Sequence, residues 1–204
     1  MLQFDLCKEA SAPLSFSLSK IQKYTVELHW DSKQDLDVHA IGLVNGKITS
    51  VQNILSTYNP QLVLCEDVTK RRTVGSKQAF QNESGSLKHF GDSRTGIQIS
   101  GQAPDEVLEI DLPKLVNGEN EVSFFVTSHP PNKVKFSEVN DAKLIIKDDS
   151  GEVLLIANLT SDFDQYDMVQ MGSLVLNPAN QAWEFNPVAV GLNGTFNDIM
   201  AMLQ

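Results

Sequence analysis

Apolar residues recur at every second position along much of this chain. Tyr24, Val26, Leu28 and Trp30 alternate with Thr25, Glu27 and His29, and Leu14, Phe16 and Leu18 alternate with serines. A period of two puts the two sets of side chains on opposite faces of an extended strand, so these segments read as half-buried β-strands. Leu36, Val38 and Ala40 continue the pattern on one face, with Asp35, Asp37 and His39 on the other. Further strands are predicted at 107–112, 121–127, 142–147, 153–159, 168–176 and 183–190. Many short strands parted by Gly, Asn and Asp turns predict an all-β-dominated chain folded as a two-sheet β-sandwich.

Two other local signals stand out. Asp148-Asp149-Ser150-Gly151 lies between two predicted strands and reads as a hairpin turn. Near the end, Thr195 with Asp198 three residues later suggests a capping box, and Phe196, Ile199, Met200 and Leu203 follow at helical spacing. A short C-terminal helix over 195–203 is therefore expected, its apolar stripe laid on the sandwich. The stretch 54–74 lacks clear periodicity and reads as an inserted loop with room for one extra strand or a short helix. Its basic run Lys70-Arg71-Arg72 is read as solvated. The 204 residues are enough for one good core, so a single domain over 1–204 is expected.

The formal charge of −10 excludes non-specific binding to nucleic acid or anionic membrane, because phosphate contacts require Lys and Arg. It also argues against direct capture of an oxyanion. The opening Met1-Leu2-Gln3-Phe4-Asp5 lacks the basic start and apolar core of a signal peptide. No apolar run reaches the roughly 20 residues needed to span a bilayer. A cytoplasmic protein without membrane insertion is expected, with Cys7 and Cys65 reduced and buried.

The acidic residues are clustered in loops. Asp35 and Asp37 stand two apart, so in an extended segment their carboxylates project the same way, and Asp31 lies just upstream after Trp30. In Gly91-Asp92-Ser93-Arg94-Thr95-Gly96 the glycines bracket a tight loop. There Asp92 offers a carboxylate, while Ser93 and Thr95 offer hydroxyls or carbonyls. Asp105-Glu106 follows at the start of the next strand. Carboxylates crowded in this way repel one another and hold their protons unless a cation sits between them. An all-oxygen donor set on turns suits calcium, which takes six to eight oxygen ligands. The spacing is not that of an EF-hand.

These residues carry a resemblance. The chain resembles the TerD-type tellurium-resistance and stress-response proteins, a family of calcium-binding β-sandwiches. The resemblance runs nearly end to end, through Phe4-Asp5-Leu6-Cys7-Lys8-Glu9, Val26-Glu27-Leu28-His29-Trp30-Asp31 and Asp35-Leu36-Asp37-Val38-His39-Ala40. It continues in Gln81-Asn82-Glu83-Ser84-Gly85-Ser86, the Gly91–Gly96 loop, Asp105-Glu106, Phe124-Phe125-Val126-Thr127-Ser128-His129 and Trp183-Glu184-Phe185. It implies calcium held by Asp35 and Asp37 from one loop and by Asp92, Asp105 and Glu106 from the other. Asp31, Ser93 and Thr95 are second-rank ligands, and Arg94 shapes the loop. It further implies a non-enzymatic role in chemical-stress resistance.

The chain departs from the family pattern at Ser93, where Asn is usual, and at Pro104, where another acid is common. It departs again in the length of 53–75 and in the altered glycine-rich end Gly191-Leu192-Asn193-Gly194. A divergent member could instead be a structural or scaffolding component with a weakened or absent cation site. A protein partner or self-association is expected, with 54–74 as the candidate surface. No Gly-x-Ser-x-Gly motif or phosphate-binding loop argues for an enzyme. His39, His89 and His129 are read as hydrogen-bonded surface groups, His39 with the further option of supporting a metal ligand.

Overall fold

The computed structural model describes residues 22–72, 77–96, 103–130 and 133–204, together with the backbone of 16–17. Cys7, Leu14 and Leu18 lie outside the described residues, as does the opening of the family resemblance. The strands are β1 (Phe16–Ser17), β2 (Lys23–His29), β3 (Leu36–Leu43), β4 (Ile54–Leu55), β5 (Val63–Leu64), β6 (Asp67–Arg71) and β7 (Phe80–Gln81). They continue with β8 (Leu87–His89), β9 (Glu106–Asp111), β10 (Glu121–Ser128), β11 (Lys143–Asp148), β12 (Val153–Asn158), β13 (Met168–Leu176) and β14 (Trp183–Leu192). Two antiparallel sheets result, ordered β1-β14-β13-β10-β3-β4 and β12-β11-β2-β9-β8-β7-β5-β6.

Between the sheets, the inward set of each strand meets its counterparts. Tyr24, Val26 and Leu28 of β2 pack with Leu36, Val38 and Ala40 of β3, Leu108 and Ile110 of β9, Phe124 and Val126 of β10, and Leu144 and Ile146 of β11. The period-two reading therefore placed these residues correctly. β2 shows the expected half-buried alternation, whereas β3 is buried along its whole length and on both faces.

The outer face of β3 is covered by the C-terminal helix α2 (Phe196–Met202) and by the chain around 54–59. Ile41 and Leu43 of β3 form a second apolar cluster with Ile54, Phe125, Met168 and Ile199, against which Phe196, Met200 and Leu203 pack. The helix begins as its sequence signal predicts. The Asp198 carboxylate accepts from both the backbone N–H and the hydroxyl of Thr195. A single helical turn, α1 (Leu159–Asp162), follows β12 and was not foreseen.

The described part of 54–74, up to Arg72, is more than an inserted loop. Ile54–Leu55 pairs with Ile41 and Ala40 of β3 in one sheet. Val63–Leu64 pairs with β6 and β7 in the other. The chain thus crosses between sheets here, and Leu55 and Leu62 are fully buried in the core. These strands are two to five residues long, too short to display a period.

The basic run is corrected at its last residue, since Lys70 and Arg71 are exposed as expected. Arg72 is buried, its guanidinium donating to the Ser56 and Asn59 carbonyls and lying 4.4 Å over the Phe80 ring. Capping of those carbonyls and the aromatic face replace the water that a solvated arginine would keep. Cys65 is only half-buried, with its thiol directed at the Gln81 side chain.

The covering helix gives a direct test. Ile199 is fully buried whereas Met202 is 52% exposed. Ile199→Ala is expected to destabilise the fold by about 2–4 kcal/mol, and Met202→Ala by less than about 0.5 kcal/mol. Urea unfolding of the two variants measures both.

Candidate metal centre

Two loops are stitched together by the start of the sandwich. The Trp30 indole N–H donates to the Gln34 carbonyl at 2.8 Å, folding 31–34 back on itself. The Gly96 N–H donates to the Ser32 carbonyl at 2.9 Å, tying the second loop to the first. A side chain at 96 would run into the Trp30 ring and carbonyl, which is why glycine stands there. At the other end of that loop Gly91 holds φ 122°, a conformation L side chains rarely adopt.

Register then delivers the acids. Leu36 pairs with Ser128, so the chain entering β3 meets the chain leaving β10, and the His129 N–H donates to the Asp35 carbonyl. Asp35, Asp37 and Asp92 each bring a carboxylate oxygen to within 4.8 Å of the others. Glu106 lies beside them, accepting from the Val38 N–H at 2.9 Å and the Ser93 N–H at 3.4 Å.

Asp37 is 1% exposed, and the stretch after β4 supplies its partners. Its Oδ1 accepts from Thr57 at 2.8 Å, and its Oδ2 accepts from the Tyr58 hydroxyl at 2.6 Å. His129 Nδ1 stands 3.2 Å from the same Oδ2 and 2.7 Å from the Tyr58 oxygen. The Tyr58 ring stacks on His129 and on Phe196 of α2, linking the site to the C-terminal helix. The Asp35 Oδ1, by contrast, is buried with no hydrogen-bond partner among the described residues.

The electrostatics follow from burial and crowding. Burial, reinforced by the charge of Asp37, pushes the Asp35 carboxyl up to about 7, with His129 pulling the other way. The same two causes raise Asp92 and lift Glu106 well above its ordinary range. For Asp37 burial also acts upward, but the His129 bond, the nearby His39 and the Tyr58 and Thr57 bonds outweigh it and hold the carboxyl low. His129 is raised, chiefly by its bond to Asp37. Asp37 is thus held low while burial and its charge push its neighbours up.

The histidine readings change accordingly. His89 is fully buried, stacked 4.7 Å from Phe80, and accepts at Nδ1 from the Gly91 N–H. Its proton therefore sits on Nε2, which faces Glu106 Oε2 at 3.6 Å. His39 is likewise buried, bonded through Nε2 to Thr127. Burial lowers His39 to about 4 and His89 to about 3, so both are neutral. His129 belongs to the site rather than the open surface. The surface reading failed for His39 because the outer face of its strand is covered, and for His89 because it shares the core-facing row with Leu87.

The remaining candidate ligands are placed apart from the triad. Asp105 accepts from the Trp30 N–H at 3.0 Å, so it holds the first loop rather than joining the three aspartates. Asp31 is exposed, its N–H donating to the Asn140 carbonyl. Ser93 spends its hydroxyl on the Thr95 carbonyl at 3.0 Å. Arg94 lies 3.9 Å from Asp92, consistent with a loop-shaping role. Thr57, Tyr58 and Arg72 were absent from the candidate list, since nothing in their spacing ties 57–72 to residue 37. The donor set of closely spaced carboxylate oxygens, one of them buried and unpaired, fits a hard cation.

Comparison with known proteins agrees with this architecture. The TerD domain model matches residues 2–202. No curated protein matches the chain. Among solved structures, a protein of unknown function, SAV2460, superposes with a TM-score of 0.67 at 18% identity, covering 88% of this chain and 95% of that one. A homologue of the telluride resistance protein TerD, SCO6318 from Streptomyces coelicolor A3(2), superposes at 0.65 and 17% identity with the same coverage. At such identities the likeness establishes the fold alone. With the family model spanning almost its full length, the chain belongs to the TerD domain family.

Proposed function

We propose that this chain is a calcium-binding, non-enzymatic protein of the tellurium-resistance and chemical-stress response, acting in the cytoplasm. The observation that carries the reading is the triad Asp35, Asp37 and Asp92, which bring carboxylate oxygens within 4.8 Å of one another, with the buried Asp35 Oδ1 unpaired among the described residues. Three carboxylates at that spacing repel one another strongly in a partly buried site, and a divalent cation converts repulsion into coordination. Asp37 would bind through Oδ1, because Tyr58 and His129 occupy Oδ2. Glu106 would serve from beneath, and backbone carbonyls and water would complete the shell. Calcium is favoured over magnesium because a mixed shell on loops tolerates irregular geometry, whereas magnesium demands a near-ideal octahedron.

A non-enzymatic role fits the neighbours of the site. Its histidines are directed at carboxylates, a tyrosine and a threonine, which orients ligands rather than activating a nucleophile. No helix among the described residues is long and apolar enough to cross a membrane.

A second reading has its own support. Thr57, Tyr58 and His129 satisfy Asp37 without metal, and the charge of Arg72 acts on Asp92, Asp37 and Glu106. On that view the cluster is an ionic lock bracing the loops of a structural or scaffolding component.

Thermal unfolding separates the two. Calcium added to chelator-treated protein is expected to raise the midpoint, by the equivalent of about 2.7 kcal/mol at a hundred times Kd, with magnesium less effective. Asp92→Ala and Asp37→Ala should abolish the response. A midpoint unmoved by millimolar calcium assigns the cluster to the ionic lock.

The pH dependence has a definite sign from 6.5 upward through about 7, where the Asp35 and His129 shifts act together. Asp35 titrates near 7 in the fold, and His129 is raised from 6.5, so both hold protons more tightly folded than unfolded. Cation-free protein should therefore lose stability as pH rises through this window. The low values of His39 and His89 act in the opposite direction, but only below 6.5. Saturating calcium should flatten or reverse the slope, since it binds the deprotonated carboxylates. Midpoints measured across the window, with and without calcium, check the sign.

A further inference from the structure

The acidic cluster is bordered by a cavity on the side of Asp35. This cavity has a volume of about 340 Å³ and is lined by Lys33, Gln34, Asp35, Arg94, His129 and Val134. That volume falls within the range of small-molecule sites. Its floor is a carboxylate and its walls carry three basic side chains, an arrangement that invites collapse into short ion pairs.

The collapse is confined to His129, which bonds Asp37 at 3.2 Å. Arg94 Nε remains 3.9 Å from Asp92, and His129 Nδ1 remains 3.8 Å from Asp35. Lys33 makes no ion pair with a described residue. Charge-assisted hydrogen bonds between such groups would close to about 2.7–2.9 Å. His129 is thus committed to Asp37, while Arg94 and Lys33 stand back from the acids and leave the cavity between. A cation seated on the three aspartates would be repelled by Lys33 and Arg94 unless negative charge lay in the gap.

Coordination leads to the same place. Asp37 has given most of its lone pairs to Thr57, Tyr58 and His129, so the carboxylates alone leave a calcium shell of six to eight oxygens underfilled. We infer that the cavity binds a phosphate group, one oxygen completing the cation's shell and the others accepting from Arg94, Lys33 and Gln34. Arginine's planar fork suits two phosphate oxygens at once, and lysine adds a point charge. A phosphate has enough terminal oxygens to span cation and rim together, whereas a carboxylate has two. The inference rests on the calcium reading. The protein's charge of −10 and the bare carboxylates repel such a dianion, so capture depends strictly on the cation.

Calorimetry of the full-length chain tests this in two stages. Calcium alone is titrated first; failure here removes the calcium reading and the inference together, and is recognised as such. Inorganic phosphate, and in a parallel arm phenyl phosphate, is then titrated into calcium-free and calcium-loaded protein at submillimolar calcium. Phosphate should bind only the loaded form, and calcium affinity should rise by the same factor when phosphate is present.

Lys33→Ala/Arg94→Ala should weaken phosphate at least about tenfold while leaving calcium affinity equal or tighter, since the removed charges repel a cation. Arg94 is 66% exposed, so the fold tolerates its loss. Binding in both arms identifies a phosphomonoester site, and inorganic phosphate alone identifies a site for the free ion. Calcium binding with no phosphate uptake in either arm up to about 10 mM overturns the inference and spares the calcium reading. Unchanged phosphate affinity in the double variant overturns it as well.

Discussion

β3 is buried on both faces, and the character of the site follows from that. Its inward residues belong to the sandwich core, and its outward residues lie beneath α2 and the chain around 54–59. Such a strand normally reads as a continuous apolar run, yet Asp37 and His39 occupy its outer row. A buried ionised carboxylate costs several kcal/mol unless hydrogen bonds and opposite charge replace the lost water. Thr57, Tyr58 and His129 perform that replacement. The cover over the strand and the partners of its acid thus come largely from one stretch of chain, with α2 contributing Phe196 against the Tyr58 and His39 rings.

The same alternation that builds the sheets divides the labour of Asp105 and Glu106. Neighbours along an extended chain face opposite ways. Glu106 turns into the cluster to hold the Val38 N–H, and Asp105 turns toward Trp30. One carboxylate therefore fixes the strand that carries Asp37 while the other fixes the loop that leads to Asp35. An acidic pair in sequence became two supports on two sides of the site.

What could be read from sequence was local. The alternation of β2, the turn from Asp148 to Gly151, and Thr195 with Asp198 each place signal and consequence within a few residues. The crowding of Asp35, Asp37 and Asp92 was legible as chemistry, because oxygen-rich turns advertise a cation whatever their order in the chain. The burial of His39, His89 and Arg72 was not legible. Each is decided by a distant cover: Phe196 over His39, Phe80 against both His89 and Arg72. A two-residue strand such as β4 or β5 is too short to carry a pattern, so its sheet is chosen by its partners.

The stretch 54–74 shows why an apparent insertion is a poor candidate for a detachable module. Leu55 and Leu62 fill the core, Thr57 and Tyr58 hold Asp37, and Arg72 ties the segment to Phe80. Core packing, sheet crossing and site assembly therefore share the same residues, and deleting the stretch would remove all three together. Its separable contribution resides in single atoms, above all the Tyr58 hydroxyl. That group meets Asp37, His129 and, through its ring, the C-terminal helix. Two contacts thereby join the aspartates to α2.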